Sequence, residues 1–83
     1  MSYRLVYTHR ALKDIQKLPA QAKIRIGKAL LRFEADPLGH AKPLINADLG
    51  TYRFRVGDYR IIFDIEAEDL VVLRVGHRRQ IYR

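Results

Sequence analysis

Tyr52-Arg53-Phe54-Arg55-Val56-Gly57-Asp58-Tyr59-Arg60-Ile61-Ile62-Phe63 is the stretch that decides the fold. Strict alternation from Tyr52 to Val56 predicts a strand with Tyr52, Phe54 and Val56 on one side and Arg53 and Arg55 on the other. Gly57-Asp58 reads as a two-residue hairpin turn, with glycine where a positive φ is required. With that loop length Val56 faces Tyr59, Arg55 faces Arg60, and Arg53 faces Ile62. Like charges directly opposite one another destabilise a sheet by up to roughly 1 kcal/mol. A hairpin that sets Arg55 against Arg60, with Arg53 beside them, is expected to hold them for an anion. Phosphate is the first choice.

Upstream, Tyr3 to Tyr7 predicts a short strand, followed by Thr8 as a helix N-cap. Leu12, Ile15 and Leu18 give an apolar stripe of helical period up to Pro19, which suits the first turn of a second helix. That helix carries Ala22, Ile26, Ala29, Leu30 and Phe33 and ends around Ala35-Asp36, because the residue before Pro37 is pushed out of helical geometry. The two helices should form an antiparallel hairpin. Pro37 to Gly50 lacks any sustained period and reads as a connecting loop.

Downstream, strands are expected at about 51–56, 59–65 and 70–75, with the acidic turn Glu66-Ala67-Glu68-Asp69 between the last two. Leu70-Val71-Val72-Leu73 is apolar on both faces, which suits a central strand. The predicted fold is α+β in the order βααβββ: a helical hairpin on one face of a small, mainly antiparallel four-stranded sheet, one domain over residues 1–83. The opposite, half-open face carries Arg53, Arg55 and Arg60.

The chain has 83 residues, a net charge of +7, a pI near 10.1 and 48% apolar residues. Such a charge predicts attraction to polyanions, chiefly nucleic acid, or to an acidic protein partner, beyond the solubility that any charge confers. With no cysteine, disulfides, thiolate metal sites and a cysteine nucleophile are excluded. No apolar run approaches the ~18 residues of a membrane span, and Met-Ser-Tyr-Arg-Leu lacks a signal peptide's apolar segment. A cytoplasmic protein without membrane contact is expected.

The tail adds Arg74, His77, Arg78, Arg79 and Tyr82. From residue 43 onward every lysine-or-arginine position is arginine, seven in all, and the planar guanidinium matches phosphate oxygens in pairs. The carboxylates Asp58, Asp64, Glu66, Glu68 and Asp69 are the groups that can neutralise some of them. His77 can move a proton in phosphodiester cleavage, the arginines around it favouring the neutral base; its other reading is a strand-end histidine with one backbone hydrogen bond. Tyr82 either stacks on an RNA base or anchors the C-terminus over the sheet. His9 and His40 read as solvent-facing, and Lys23, Lys28 and Arg32 as a solvated helix face. No His/Asp/Glu cluster has metal-ligand spacing and no glycine-rich phosphate loop occurs, so no metal or cofactor is expected. RNA can still be cut, because its 2′-hydroxyl attacks the neighbouring phosphate when the chain is aligned and the phosphorane charge stabilised.

With these residues in place, the chain resembles the RelE/ParE superfamily of bacterial and archaeal toxins, on the RelE side. The resemblance rests on Ala11-Leu12-Lys13-Asp14, Lys17-Leu18-Pro19, the hairpin Tyr52 to Arg60, Val75-Gly76-His77-Arg78 and Ile81-Tyr82, in that order along almost the whole chain. It implies a toxin that cuts mRNA in the ribosomal decoding site without a metal, arrests translation, and is held inactive by a RelB-like antitoxin with an acidic, partly disordered segment. By position it implies that Arg53 and Arg55 contact the scissile phosphate, Arg60 and Arg78 stabilise the transition state and leaving group, and Tyr82 stacks on the mRNA base. Where such toxins have a lysine proposed as base, this chain has arginine, which does not deprotonate at working pH; His77 is the expected substitute, the other readings being arginines that act mainly by electrostatics or a weak nuclease. A ParE-like toxin that poisons gyrase without cutting RNA, and a silent nucleic-acid or antitoxin-binding module, remain alternatives on the same fold.

Overall fold

A computed structural model describes residues 3–43 and 51–81. The hairpin forms in the expected register. Strands β3 (Tyr52–Val56) and β4 (Tyr59–Glu66) pair antiparallel, with Val56 opposite Tyr59, Arg55 opposite Arg60 and Arg53 opposite Ile62. Gly57 has φ of +59°, the left-handed conformation that a two-residue turn needs and glycine adopts freely.

The remaining elements are β1 (Arg4–Tyr7), α1 (His9–Gln16), α2 (Ala20–Phe33), α3 (Pro37–His40), β2 (Lys42–Pro43), β5 (Asp69–His77) and α4 (Arg78–Ile81). The strands form one sheet in the order β1-β5-β4-β3-β2, antiparallel except for β1 beside β5. The apolar run of β5 is thus flanked by strands on both sides, as its composition required. Thr8 makes the turn from β1 into α1. Its N–H donates to the Val72 carbonyl, its hydroxyl to the Leu73 carbonyl, and its Oγ1 accepts from the Ala11 N–H at 3.1 Å.

Two helices cover one face of the sheet. Ile26, Leu30 and Phe33 of α2 are buried against Phe54, Ile61, Phe63 and Val72. Phe33, Phe54 and Phe63 stack in series with ring centroids 4.3 and 4.1 Å apart, each pair adding about 0.5–1.5 kcal/mol beyond area burial.

Four expectations are corrected. The sheet has five strands, because two residues of the supposed loop, Lys42 and Pro43, pair with Arg53 and Tyr52; two residues carry no readable period. Pro37–His40 is a helical turn rather than loop: Asp36 accepts from the Gly39 N–H at 3.2 Å, so the Asp-Pro that stops α2 also starts α3. In α1 the buried position is Ala11, whereas Leu12 is 47% exposed. The second face is partly covered, since α4 brings Ile81 to 3.7 Å from where a side chain on Gly76 would begin. Ile62, which faces that side by alternation, is fully buried.

Candidate nucleic-acid interface

Residues directly opposite on neighbouring strands share a face. Lys42 lies opposite Arg53, and Arg53 opposite Ile62. Arg55 lies opposite Arg60, and Arg60 opposite Gly76. The face away from α1 and α2 therefore presents Lys42, Arg53, Arg55 and Arg60 from three adjacent strands. Arg55 is exposed and has no hydrogen-bond or ion-pair partner among the described residues.

Of the carboxylates expected to compete for these cations, Asp58 lies in the hairpin turn itself and the others lie toward the far end of the sheet. Asp64 accepts from the Thr51 N–H at 2.7 Å, and Asp69 is paired with Arg4 at 2.9 Å. The side-chain hydrogen bond to Asp69, then its charge, raises the Arg4 guanidinium above its ordinary pKa. Glu66 sits six residues along β4 from Arg60, about 20 Å at strand rise, or more than two screening lengths in physiological salt. The sheet is thus acidic at one end and basic at the other.

Arg60 plays a different part from Arg55. It is only 6% exposed, and its Nη1 donates to the carbonyls of Gly57 and Tyr59, both at 2.9 Å. It braces the hairpin turn from within. The Arg78 N–H donates to the Asp58 carbonyl at 2.8 Å, and its Nε stands 3.9 Å from the exposed Asp58 carboxylate, a weak surface pairing. Arg25 of α2 comes to the same turn from the helical layer, its Nη2 2.8 Å from where a Cβ on Gly57 would stand. Guanidinium groups from α2, β4 and α4 therefore gather at one tip of the molecule.

His77 is not on the arginine face. It lies opposite Tyr59 on the helical side, ring edge to ring at 5.8 Å. Its Nδ1 accepts from the Arg79 N–H at 3.2 Å. In that geometry the neutral ring carries its proton on Nε2, so the outward nitrogen donates rather than accepts. Arg74 is engaged by Asp14 of α1: Asp14 Oδ2 accepts from Arg74 Nε at 2.8 Å and from the Val75 N–H at 3.0 Å. Arg79 is exposed. Tyr82 lies outside the described residues. A cavity of about 310 Å³ opens between the end of α1 and α4, beside His77. Among the described residues no three His, Asp or Glu side chains are grouped so as to hold a metal ion, and no helix is long and apolar enough to cross a membrane.

Residues 5–82 match the sequence profile of the ParE toxin of type II toxin–antitoxin systems, parDE. The chain belongs to this toxin family. Across its full length it is 38% identical to toxin RelG of Mycobacterium tuberculosis, covering 99% of that protein. Its fold matches the toxin–antitoxin complex RelBE2 of Mycobacterium tuberculosis with a TM-score of 0.85 and 31% identity, covering 94% of this chain and 100% of that one. The isolated RelE toxin of E. coli matches with a TM-score of 0.77 and 25% identity, over 98% and 92% of the two chains. The protein is thus a type II toxin of the RelE/ParE superfamily, and the α+β fold expected from its pattern is that of RelE toxins.

In this toxin, sequence reasoning missed one member of the arginine face and one of the basic tip. Lys42 reaches the arginine face only through β2, and a two-residue strand leaves no signal. Arg25 is set among the polar residues of α2, and only the packing of α2 on the sheet brings it to Gly57.

Proposed function

We propose that this toxin is a ribosome-dependent endoribonuclease that cuts mRNA in the decoding site and so arrests translation in the cytoplasm. The observation that carries this reading is the exposed Arg55, without a partner among the described residues, facing Arg60 across the hairpin on the face that also holds Arg53 and Lys42. The 2′-oxygen forms its bond to phosphorus as the bond to the 5′-oxygen breaks, leaving a 2′,3′-cyclic phosphate and a 5′-oxygen that takes a proton from water to become the 5′-hydroxyl. Arg53, Arg55 and Lys42 hold the phosphate and stabilise the charge that builds on its oxygens, an effect typically worth 10²–10³ in rate per donor. Arginine cannot take the attacking hydroxyl's proton, so that proton leaves to solvent hydroxide. Arg60 contributes by fixing the turn, Arg78 meets the leaving side from α4, and Tyr82 stacks on the neighbouring base. A face with so few orienting groups leaves the bending of the message to the ribosome, which supplies the alignment.

A cognate, RelB-like antitoxin with an acidic segment is the partner this reading requires. RelBE2 of Mycobacterium tuberculosis is a toxin–antitoxin complex, and the +7 charge suits an acidic binder. The gyrase-poisoning reading shares the fold; the converged cations favour a phosphate substrate over it.

The test is in-vitro translation with primer extension, comparing the full chain with Arg55→Ala. Ribosome-positioned cuts ending in cyclic phosphate, lost in the variant, are expected. Intact mRNA together with inhibited gyrase would overturn the proposal. Arg60→Ala alone cannot serve, because it also removes the brace on the turn.

A further inference from the structure

The cavity between α1 and α4 has no part in the charge stabilisation described above. β1 pairs with β5 as far as Val72, so among the described residues no strand lies beside the outer edge of β5 from Leu73 onward. Asp14 closes part of that edge by accepting from the Val75 N–H. Beyond it, the edge borders a space of about 310 Å³ whose other walls are Lys17 and Leu18 from the end of α1 and Gln80 and Ile81 from α4. That is the lower end of the volumes that hold small ligands.

The chemistry of the walls selects the occupant. Arg74 and Asp14 neutralise each other at 2.8 Å, which leaves Lys17, exposed and without an ion-pair partner among the described residues, as the net charge. His77 offers Nε2–H, because Nδ1 is occupied by the Arg79 amide. Gln80 offers a carboxamide, which can both donate to and accept from a base edge. Asp14, the acceptor in the walls with full charge, is already spent on two donors. Leu18, Val75 and Ile81 supply apolar surface, and the Tyr59 ring lies beside His77. An excess of donors over an apolar, aromatic floor fits an anionic group carried on a flat ring.

We infer that this cavity is a nucleotide subsite that takes the residue on the 3′ side of the cut, with its base against Leu18, Val75 and Ile81 and its 3′-phosphate toward Lys17. The inference rests on the ribonuclease reading for its substrate. Position supports it: His77 is next in β5 after Gly76, which faces Arg60 across the strands. A message leaving the Arg55 face over Arg60 and Gly76 reaches the β5 edge that borders the cavity.

Lys17 and Gln80 are both exposed, so Lys17→Ala and Gln80→Ala leave the fold intact and isolate recognition. The experiment is an NMR titration of the ¹⁵N-labelled full chain, without ribosomes, with 3′-AMP, 3′-CMP and inorganic phosphate in parallel. Saturable shifts of the Val75, His77 and Gln80 amides with a mononucleotide, about fivefold weaker binding in Lys17→Ala, and smaller shifts with phosphate are expected. Equal response to phosphate would overturn base recognition. Shifts confined to β3, or none, would overturn the subsite while leaving the nuclease reading standing. Absence of ribosome-dependent cleavage alongside intact mononucleotide binding would sink the nuclease reading instead.

Discussion

Removing the Asp14 carboxylate should cost this protein more than any exposed charge on its surface. Asp14 is largely buried and holds two donors of β5, the Arg74 guanidinium at 2.8 Å and the Val75 N–H at 3.0 Å. Asp14→Ala leaves the Val75 N–H without an acceptor at an edge that β1 does not reach. A hydrogen bond to a charged group contributes about 1.5–3 kcal/mol, and the partly exposed pair with Arg74 about 0.5–1 kcal/mol. Water entering the adjoining cavity recovers part of the first figure. The net loss is therefore about 2 kcal/mol, set against a total of about 4–12 kcal/mol for a chain of this length. At roughly 4–8 °C per kcal/mol for a domain this small, the midpoint should fall by about 8–16 °C. Urea unfolding followed by circular dichroism measures the change at constant m-value. Asp14→Asn keeps an oxygen for Val75 and should lose about half as much. If Asp14→Ala unfolds within about 0.5 kcal/mol of the parent, or if Asn and Ala are equivalent, the edge-clamp account is wrong.

The two hairpin turns should respond in opposite directions to matched substitutions. Gly57→Ala places a β-carbon at φ +59° and should destabilise by about 1 kcal/mol, whereas Ala67→Gly, at φ +54°, should stabilise by a similar amount; thermal melts decide both. Arg60→Ala should lower the melting midpoint and the cleavage rate together, while Arg55→Ala should lower cleavage about 10²-fold with the midpoint unchanged; paired melts and translation assays separate a brace from a phosphate contact. If the attacking hydroxyl's proton goes to solvent hydroxide, single-turnover cleavage should rise about tenfold per pH unit. A plateau in the range where histidines titrate would return that proton to His77.

Much of this toxin could be read along the chain. Alternation in Tyr52–Val56, the Gly57-Asp58 turn and the apolar run of β5 are local patterns, and each forced its own strand, register and face. The opposition of Arg55 to Arg60 follows from a loop length alone. Thr8 announced the start of α1 because a cap is a local hydrogen bond. Other features depend on what is brought near from far away. Lys42 joins the basic face through two residues of pairing, and Arg25 through the packing of α2 over Gly57. The division of labour between Arg55 and Arg60 depends on which of two like side chains folds back onto the turn carbonyls and which stays in solvent. His77 was expected among the arginines by nearness in sequence, yet strand alternation turns it to the other face. Period and turn chemistry act over a few residues and so are written in the chain; burial, charge separation and the cavity beside β5 arise from contacts between segments tens of residues apart, which no local pattern encodes.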